Sequence, residues 1–435
     1  MNESKHIEPS GQGLRGTIRI PGDKSVSHRS VMFSALGSTP VHITNFLHAQ
    51  DCLSTVACVR ALGASVEFLH DDELIVTGRG LHGLCEPQTI LDAGNSGTTL
   101  RLMMGMLAGQ PFLSTFTGDA SLHKRPMGRV IKPLCAMGAQ IFGRADNAKL
   151  PITIVPMGKN LCGMTYQSPV ASAQVKSAIL LAGLFADGAT TVVEPFASRD
   201  HTEQMLRAFG VDIEVHGTAV TVQPVREMTA PEAIEVPGDI SSAACWLVAG
   251  SIIPHSNLLL KGVGINATRT GVLDVLRAMG ARITIQNERM SGGERAADIR
   301  VEASALHGTE FGAEIMPRLI DEIPILAVAA LFAEGDTVIT GAGELRVKET
   351  DRIQAIADQF NKLAPGSVEA KEDELVIHGG RKIQHASCFS YDDHRIAMSL
   401  AILGAAGRGV HIENPACVDI SYPTFYETLA HIQQG

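Results

Sequence analysis

Aromatic residues make up only 4% of this 435-residue chain, with one Trp and four Tyr. A surface that reads nucleic acid by stacking on its bases needs more rings than that. Basic residues are outnumbered as well: 36 Lys and Arg against 46 Asp and Glu leave a formal charge of −10. That balance excludes the broad basic face required for a phosphate backbone, so no nucleic-acid partner is expected. It leaves room for a small anionic substrate, which needs only a local cluster of cations. The eight Cys are scattered without a CxxC pair, which indicates neither a zinc knuckle nor a disulfide framework and suits a reducing, cytoplasmic setting. No apolar run reaches the length of a membrane span; ILAVAALFA at 325–333 suits a buried helix, and no membrane partner is expected. The opening MNESKHIEPS carries no apolar stretch of the signal-peptide kind. No HExxH occurs and the sixteen His lack metal-ligand spacing, so neither metal nor cofactor is expected.

What is present is a well-packed composition, 45% hydrophobic and 19% charged, in a chain too long for one ordinary core. It is built on a repeat. VRALGASVEF (59–68), LCAMGAQIFG (134–143), LRAFGVDIEV (206–215), LRAMGARITI (276–285) and, more loosely, NKLAPGSVEA (361–370) share one ending. Each reads as a helix closed by Gly, then a strand of alternating apolar residues. Before each lies an Ala/Leu/Gly-rich helix, apolar nearly all round and therefore buried, followed by a β-branched strand. ILLAGLFADGATTVVE (179–194) and LAVAALFAEGDTVITG (326–341) are near copies of that element. Six such helices give six βαβαββ units, an α/β class assembled from α+β repeats. IPGDKS (20–25) and its echo VPGDIS (236–241) open the first and fourth units, which predicts two domains of three units. The predicted domains are residues 22–238 and residues 1–21 plus 239–435, with the strand GTIRI assigned to the second.

Two glycine patterns carry no nucleotide site. GQGLRG (11–16) precedes a strand and GRGLHG (78–83) leads to no helix, whereas a dinucleotide fingerprint links strand to helix. GDKS has Asp23 where a P-loop needs Gly. The informative positions are the N-termini of helices: DKSVSHR (23–29), NSGTTLR (95–101), SAQVK (172–176), IDE (320–322) and DDHR (392–395), with KRPMGR (124–129), SRDHTE (198–203) and RVKETDR (346–352) opening outer helices. Helix N-termini attract anions, so cations there are locally unfavourable unless an anion offsets them. Asp23, Ser172, Asp200 and Asp393 taken singly read as N-caps, and Arg101, Arg129 and Lys176 as surface or structural charges. The recurrence over five units is what favours a polyanion site, in which Asp321 and Glu349 sit among cations and can move protons without a metal.

PGDKSVSHR, GNSGTTLR, KRPMGR, SAQVKSAILLAG, LRVKETDR and DDHRIAMS together resemble the EPSP synthase family, in its class II-like branch of the enolpyruvyl transferases, along nearly the whole chain. The resemblance implies two domains, each three βαβαββ units arranged as an inside-out α/β barrel, with the active site in the cleft between them. It implies transfer of the enolpyruvyl group of phosphoenolpyruvate to the 5-hydroxyl of shikimate-3-phosphate, with release of phosphate, in the shikimate pathway to chorismate and aromatic amino acids. Carried over by motif, Lys24, Ser25, Arg29, Ser172, Ala173, Gln174, Arg199, Asp321 and Lys348 would hold shikimate-3-phosphate. Lys24, Asn95, Gly97, Arg125, Gln174, Arg352 and Arg395 would hold phosphoenolpyruvate. Asp321 would be the base, and Glu349, with Lys24 or His394, would handle the proton at C3. A monomer is expected. The chain has Ile420 where some members carry a Lys, so no C-terminal lysine ligand is assigned.

Two alternatives stand beside this. An enolpyruvyl transferase acting on UDP-N-acetylglucosamine commonly uses a Cys in the mobile loop of the second unit; residues 112–129 contain none, and Cys135 lies in the next helix. A non-catalytic anion-binding protein would gain little from carboxylates at 321 and 349.

Overall fold

The protein is described from a computed structural model covering residues 4–156 and 158–434. Among the described residues five of its six sheets share one four-stranded plan, and the sixth has three strands. In the third, Thr165–Gln167 runs parallel to Thr190–Val193, which pairs antiparallel with Ala219–Val222, which in turn pairs with Ile213–His216. The second and fifth sheets repeat that order locally. The helix endings behave as the repeat predicts: Gly63, Gly138, Gly210, Gly280 and Gly366 all take positive φ, between 70° and 101°. Only glycine enters that region without a Cβ penalty, so each closes its helix and turns the chain into the next strand.

Three sheets borrow a strand from far along the chain. Arg15–Arg19 supplies the parallel strand of the fourth sheet, beside Asn257–Gly264. Ala233–Glu235 supplies that of the first sheet, beside Pro40–Thr44. The sixth sheet is closed by the N-terminal strand Ser4–Ile7 pairing antiparallel with Val410–Glu413. The chain divides into two compact units: Gly22–Pro237 with Met290–Glu294, and Met1–Pro21 with Gly238–Arg289 and Arg295–Gly435. They are called the N-terminal and C-terminal halves below. Each Pro-Gly-Asp therefore follows a strand and starts a helix at a point where the chain changes half.

Each half has its own apolar core. In the N-terminal half the central helix Gly97–Leu107 packs on Lys24–Leu36 and on Ala173–Gly183. In the C-terminal half Ile240–Ile252, Ile323–Leu331 and His394–Ala406 pack on one another. Every residue of Ile323–Leu331 is buried, as the all-round apolar sequence requires. The helices thus lie inside and the sheets carry the surface of each half. Polar residues in the central helices concentrate in their first turns, where the candidate residues sit. Among the described residues no helix is long and apolar enough to cross a membrane.

Candidate active site

In the N-terminal half the first central helix starts with a side-chain cap: Asp23 accepts a hydrogen bond from the Val26 amide at 2.9 Å. Lys24, at the first helical position, reaches Asp51 at 3.2 Å. Ser25 gives its carbonyl to Arg29 Nη1 at 3.0 Å. Arg29 is buried, donating from Nε to Thr202 at 2.7 Å and from Nη2 to Ser177 at 2.9 Å. Burial lowers its pKa to about 10, with Arg199 pushing the same way and Glu203 opposing. Arg199 thus stands close enough for its charge to be felt at Arg29.

The second central helix is capped by Ser96, which accepts from the Thr99 amide at 3.0 Å. Beside that cap Arg125 donates from Nη2 to the Asn95 side-chain oxygen at 2.9 Å, and Asn95 donates to Asp119 at 2.6 Å. A Cβ on Gly97 would lie 2.7 Å from Arg101 Nη1 and 3.5 Å from Arg125 Nη1. The missing side chain is what lets two guanidinium groups approach this helix end. Gln174, on the third central helix, accepts from Arg101 at 2.5 Å and donates to Thr98 at 3.1 Å. Asn95, Gly97, Arg125 and, through Arg101, Gln174 are therefore gathered at one place.

Several expectations change here. Arg125 lies before its helix rather than in it: the helix begins at Gly128, and Arg125 takes an extended φ/ψ of −70°/140°. Pro126 explains this, since a residue preceding proline is driven out of the helical region. Ser172 and Asp200 make no side-chain cap; Ser172 donates its amide to Glu194 at 2.8 Å, and Asp200 accepts from Gln204 at 2.8 Å. Ala173 is simply the first residue of that helix. Lys176, which could equally be a cation facing an anion or a structural charge, is the latter, buried between Glu203 at 2.7 Å and Glu194 at 3.1 Å. Burial alone would lower its pKa, but the two carboxylates outweigh this and raise it, so the ammonium stays charged.

In the C-terminal half Asp321 sits on a 3-10 turn, Ile320–Glu322, just before the fifth central helix. Pro324 in the first turn of that helix costs no hydrogen bond there. Three cations surround the Asp321 carboxylate: Arg352 at 3.4 Å, Lys348 at 3.8 Å and Arg395 at 3.9 Å. Lys348 and Glu349 lie in the segment between the 3-10 turn Gly343–Val347 and the helix Arg352–Leu363, not inside a helix. Arg352, only 1% exposed, also donates to Glu349 at 2.8 Å and, from Nε, to Asp393 at 2.7 Å. Those carboxylates outweigh the effect of burial and hold Arg352 above its ordinary pKa. Burial would raise the pKa of Asp393, yet Arg352 and then His394 win and lower it. Asp393 also caps the sixth central helix, accepting from the Arg395 amide at 2.9 Å. His394 is buried at the first position of that helix. Ile420 ends a 3-10 turn and packs against the core, as an apolar residue there should.

Residue patterns had not singled out Asp51, Ser177, Glu194, Arg269 or Glu322. Their roles come from contacts with residues distant in the chain, as far as 148 residues between Ser177 and Arg29, which leave little local signature. Among the described residues no group of His, Cys, Asp or Glu is arranged to hold a metal ion. A cavity of about 670 Å³ lies elsewhere, on the outer face of the fourth sheet between Arg15, Asn257, Arg282 and Arg300. None of the candidate residues lines it.

Comparison with known proteins places these features in a family. The family model for EPSP synthase (3-phosphoshikimate 1-carboxyvinyltransferase) matches residues 9–429. A 3-phosphoshikimate 1-carboxyvinyltransferase of Desulforudis audaxviator is 53% identical over 419 residues, covering 96% of this chain and 97% of the relative. One from Bacillus cereus is 51% identical over 428 residues, covering 98% and 99%. The solved EPSP synthase of Acinetobacter baumannii superposes with a TM-score of 0.90 at 44% identity, covering 99% of this chain and 98% of that one. The enolpyruvyl transferase NikO of Streptomyces tendae, at 19% identity and a TM-score of 0.78, shares the fold. With an α/β repeat architecture common to these structures and a family match along almost its entire length, the chain belongs to the EPSP synthase family.

Proposed function

We propose that this protein transfers the 1-carboxyvinyl group of phosphoenolpyruvate to the 5-hydroxyl of shikimate-3-phosphate and releases phosphate. The observation that carries the mechanism is the setting of Asp321, a carboxylate within 4 Å of three separate cations. Such a group stays ionised and is positioned to accept a proton. Asp321 takes the proton of the 5-hydroxyl as its oxygen attacks C2 of phosphoenolpyruvate. C3 gains a proton from Glu349, with Lys24 or His394 assisting, giving a tetrahedral ketal. The C2–O bond to phosphate then breaks, C3 gives its proton back, and the vinyl double bond returns. Because Arg352 bonds Glu349 and Asp321 together, one guanidinium sets the spacing of the two acid–base groups.

In this reading Lys24, Ser25, Arg29, Ser172, Ala173, Gln174, Arg199, Asp321 and Lys348 hold shikimate-3-phosphate. Lys24, Asn95, Gly97, Arg125, Gln174, Arg352 and Arg395 hold phosphoenolpyruvate. The cations stabilise charge on the departing phosphate, as preorganised donors do. The enzyme works as a monomer in the cytoplasm, a setting that agrees with eight free cysteines.

The test is phosphate release from phosphoenolpyruvate with shikimate-3-phosphate, and separately with UDP-N-acetylglucosamine. Turnover with the first alone is expected; turnover with the sugar nucleotide alone overturns the reading. Asp321→Ala should cost on the order of 10²–10⁴ in kcat. Near-normal turnover in that variant would remove Asp321 from the role of base.

A further inference from the structure

Directly behind Asp321 lies a second carboxylate that the reaction as described does not use. Glu322 is fully buried, 0% exposed in its side chain. Its Oε1 accepts from the Ser241 hydroxyl and faces Arg269 at 3.7 Å and Arg395 Nη1 at 3.8 Å. Its Oε2 has no hydrogen-bond partner among the described residues. Arg269, itself buried, donates to Ser241 at 2.6 Å and to Asp239 at 3.4 Å. Asp239 and Ser241 belong to the second Pro-Gly-Asp sequence, and Asp239 caps the fourth central helix.

The consequence is at Arg395. Its Nη1 faces Glu322 at 3.8 Å and its Nη2 faces Asp321 at 3.9 Å. Both distances are too long for a direct hydrogen bond. One guanidinium is therefore shared almost evenly between adjacent carboxylates and closes on neither. A buried carboxylate is costly unless it is paired, so Glu322 must keep hold of a cation. We propose that Glu322 is a positioning residue which, by competing for Arg395, keeps that arginine from neutralising Asp321 and so preserves Asp321 as a base. This rests on the assignment of Asp321 to the proton transfer above.

The cations facing Asp321 are Lys348 from the segment after the 3-10 turn, Arg352 from the start of the helix that follows, and Arg395 from the sixth central helix. Those facing Glu322 are Arg395 and Arg269; Cys245, one turn beyond Ser241, stands nearby as a neutral thiol, its pKa pushed up to about 12 by burial. Removing the charge at 322 acts on Asp321 in one direction only. A nearby negative charge disappears, and Arg395 is released toward Asp321, so Asp321 binds its proton less tightly.

The experiment is the pH profile of kcat/KM for phosphate release, which reports the free enzyme, before phosphoenolpyruvate engages Arg395. In Glu322→Gln the acid limb should move down by about half to one pH unit, with the plateau lowered about 3- to 10-fold because the base is weaker. Glu322→Asp, which keeps the charge, should bring the limb back toward its wild-type position. Arg269→Gln removes the competing cation, lets Glu322 draw Arg395 away from Asp321, and should move the limb up. A role confined to stability would lower the active fraction and leave the limb where it was. An unmoved limb in Glu322→Gln, or in Arg269→Gln should the first variant not fold, overturns the inference while leaving the function intact. Absence of turnover in the wild type overturns the proposed function and this inference with it.

Discussion

The pattern around residues 321–322, 349–352 and 393–395 is one of carboxylates alternating with guanidinium groups, and its energetics depend on pH. Asp393 is buried, accepts two hydrogen bonds from Arg352 at 2.7 and 3.2 Å, and has its pKa lowered despite burial. A carboxyl whose folded pKa is depressed contributes stability above its unfolded value, near 4, and loses it as pH falls through the folded value. The wild type should therefore lose stability on acidification below about pH 4. Asp393→Asn should be less stable at neutral pH and flatter over that acid range, as measured by urea unfolding at a series of pH values. An equally steep acid dependence in the variant would place the sensitive group elsewhere. Other charges in the central helices obey the same rule in different company: Lys176 is kept charged by Glu203 and Glu194, so this lysine is part of the frame.

At the scale of elements, the repeat works because helices can approach without side chains in the way. A Cβ on Gly105 would stand 2.1 Å from the Ala178 carbonyl oxygen, where the second and third central helices cross. Gly105→Ala leaves the helix backbone unstrained and so tests the approach itself. It should destabilise the protein by about 1–3 kcal/mol or more, the usual cost of overpacking, measured by denaturant unfolding. A neutral result would mean that the helices part freely. The five helix-closing glycines were readable as such because glycine after an apolar period has one common use. Cap residues were less readable. Asp23, Asp239 and Asp393 cap with their side chains whereas Ser172 and Asp200 do not, because a cap depends on which neighbour claims the oxygen or amide first.

At the scale of the whole molecule, the two Pro-Gly-Asp sequences mark where the chain passes from one half to the other. The N-terminal half is almost continuous, 22–237, and includes the strand Ala233–Glu235 that completes its first sheet. The C-terminal half depends on residues 1–21, whose strands Ser4–Ile7 and Arg15–Arg19 complete two of its sheets. A polypeptide of residues 22–237 should fold cooperatively alone, seen as dispersed amide resonances and a single thermal transition. A polypeptide of residues 238–435 should not do so unless residues 1–21 are supplied, since two sheet edges would be left unpaired. Cooperative folding of 238–435 by itself would show those strands to be dispensable.

The sequence by itself determined the repeat, the buried character of its six central helices and the concentration of cations in their first turns. These follow from periodicity and composition, which are local properties. It also marked Glu349 as a carboxylate among cations, because its chain neighbours Lys348 and Arg352 carry the opposite charge. Only the tertiary structure decided what each cation is held against. Arg29 and Lys176 proved to be enclosed by Thr202, Ser177, Glu194 and Glu203, and Arg352 by Asp393, Glu349 and Asp321. Only the structure, too, brought Ser241 and Arg269 against Glu322. The second Pro-Gly-Asp sequence lacks the lysine and arginine of the first. Folding places its Asp239 and Ser241 in a network ending at Arg395, 156 residues away from Asp239 as the difference of their numbers. Electrostatic pairing acts through space over a few ångströms, and no property of a linear segment records which distant charge will arrive there.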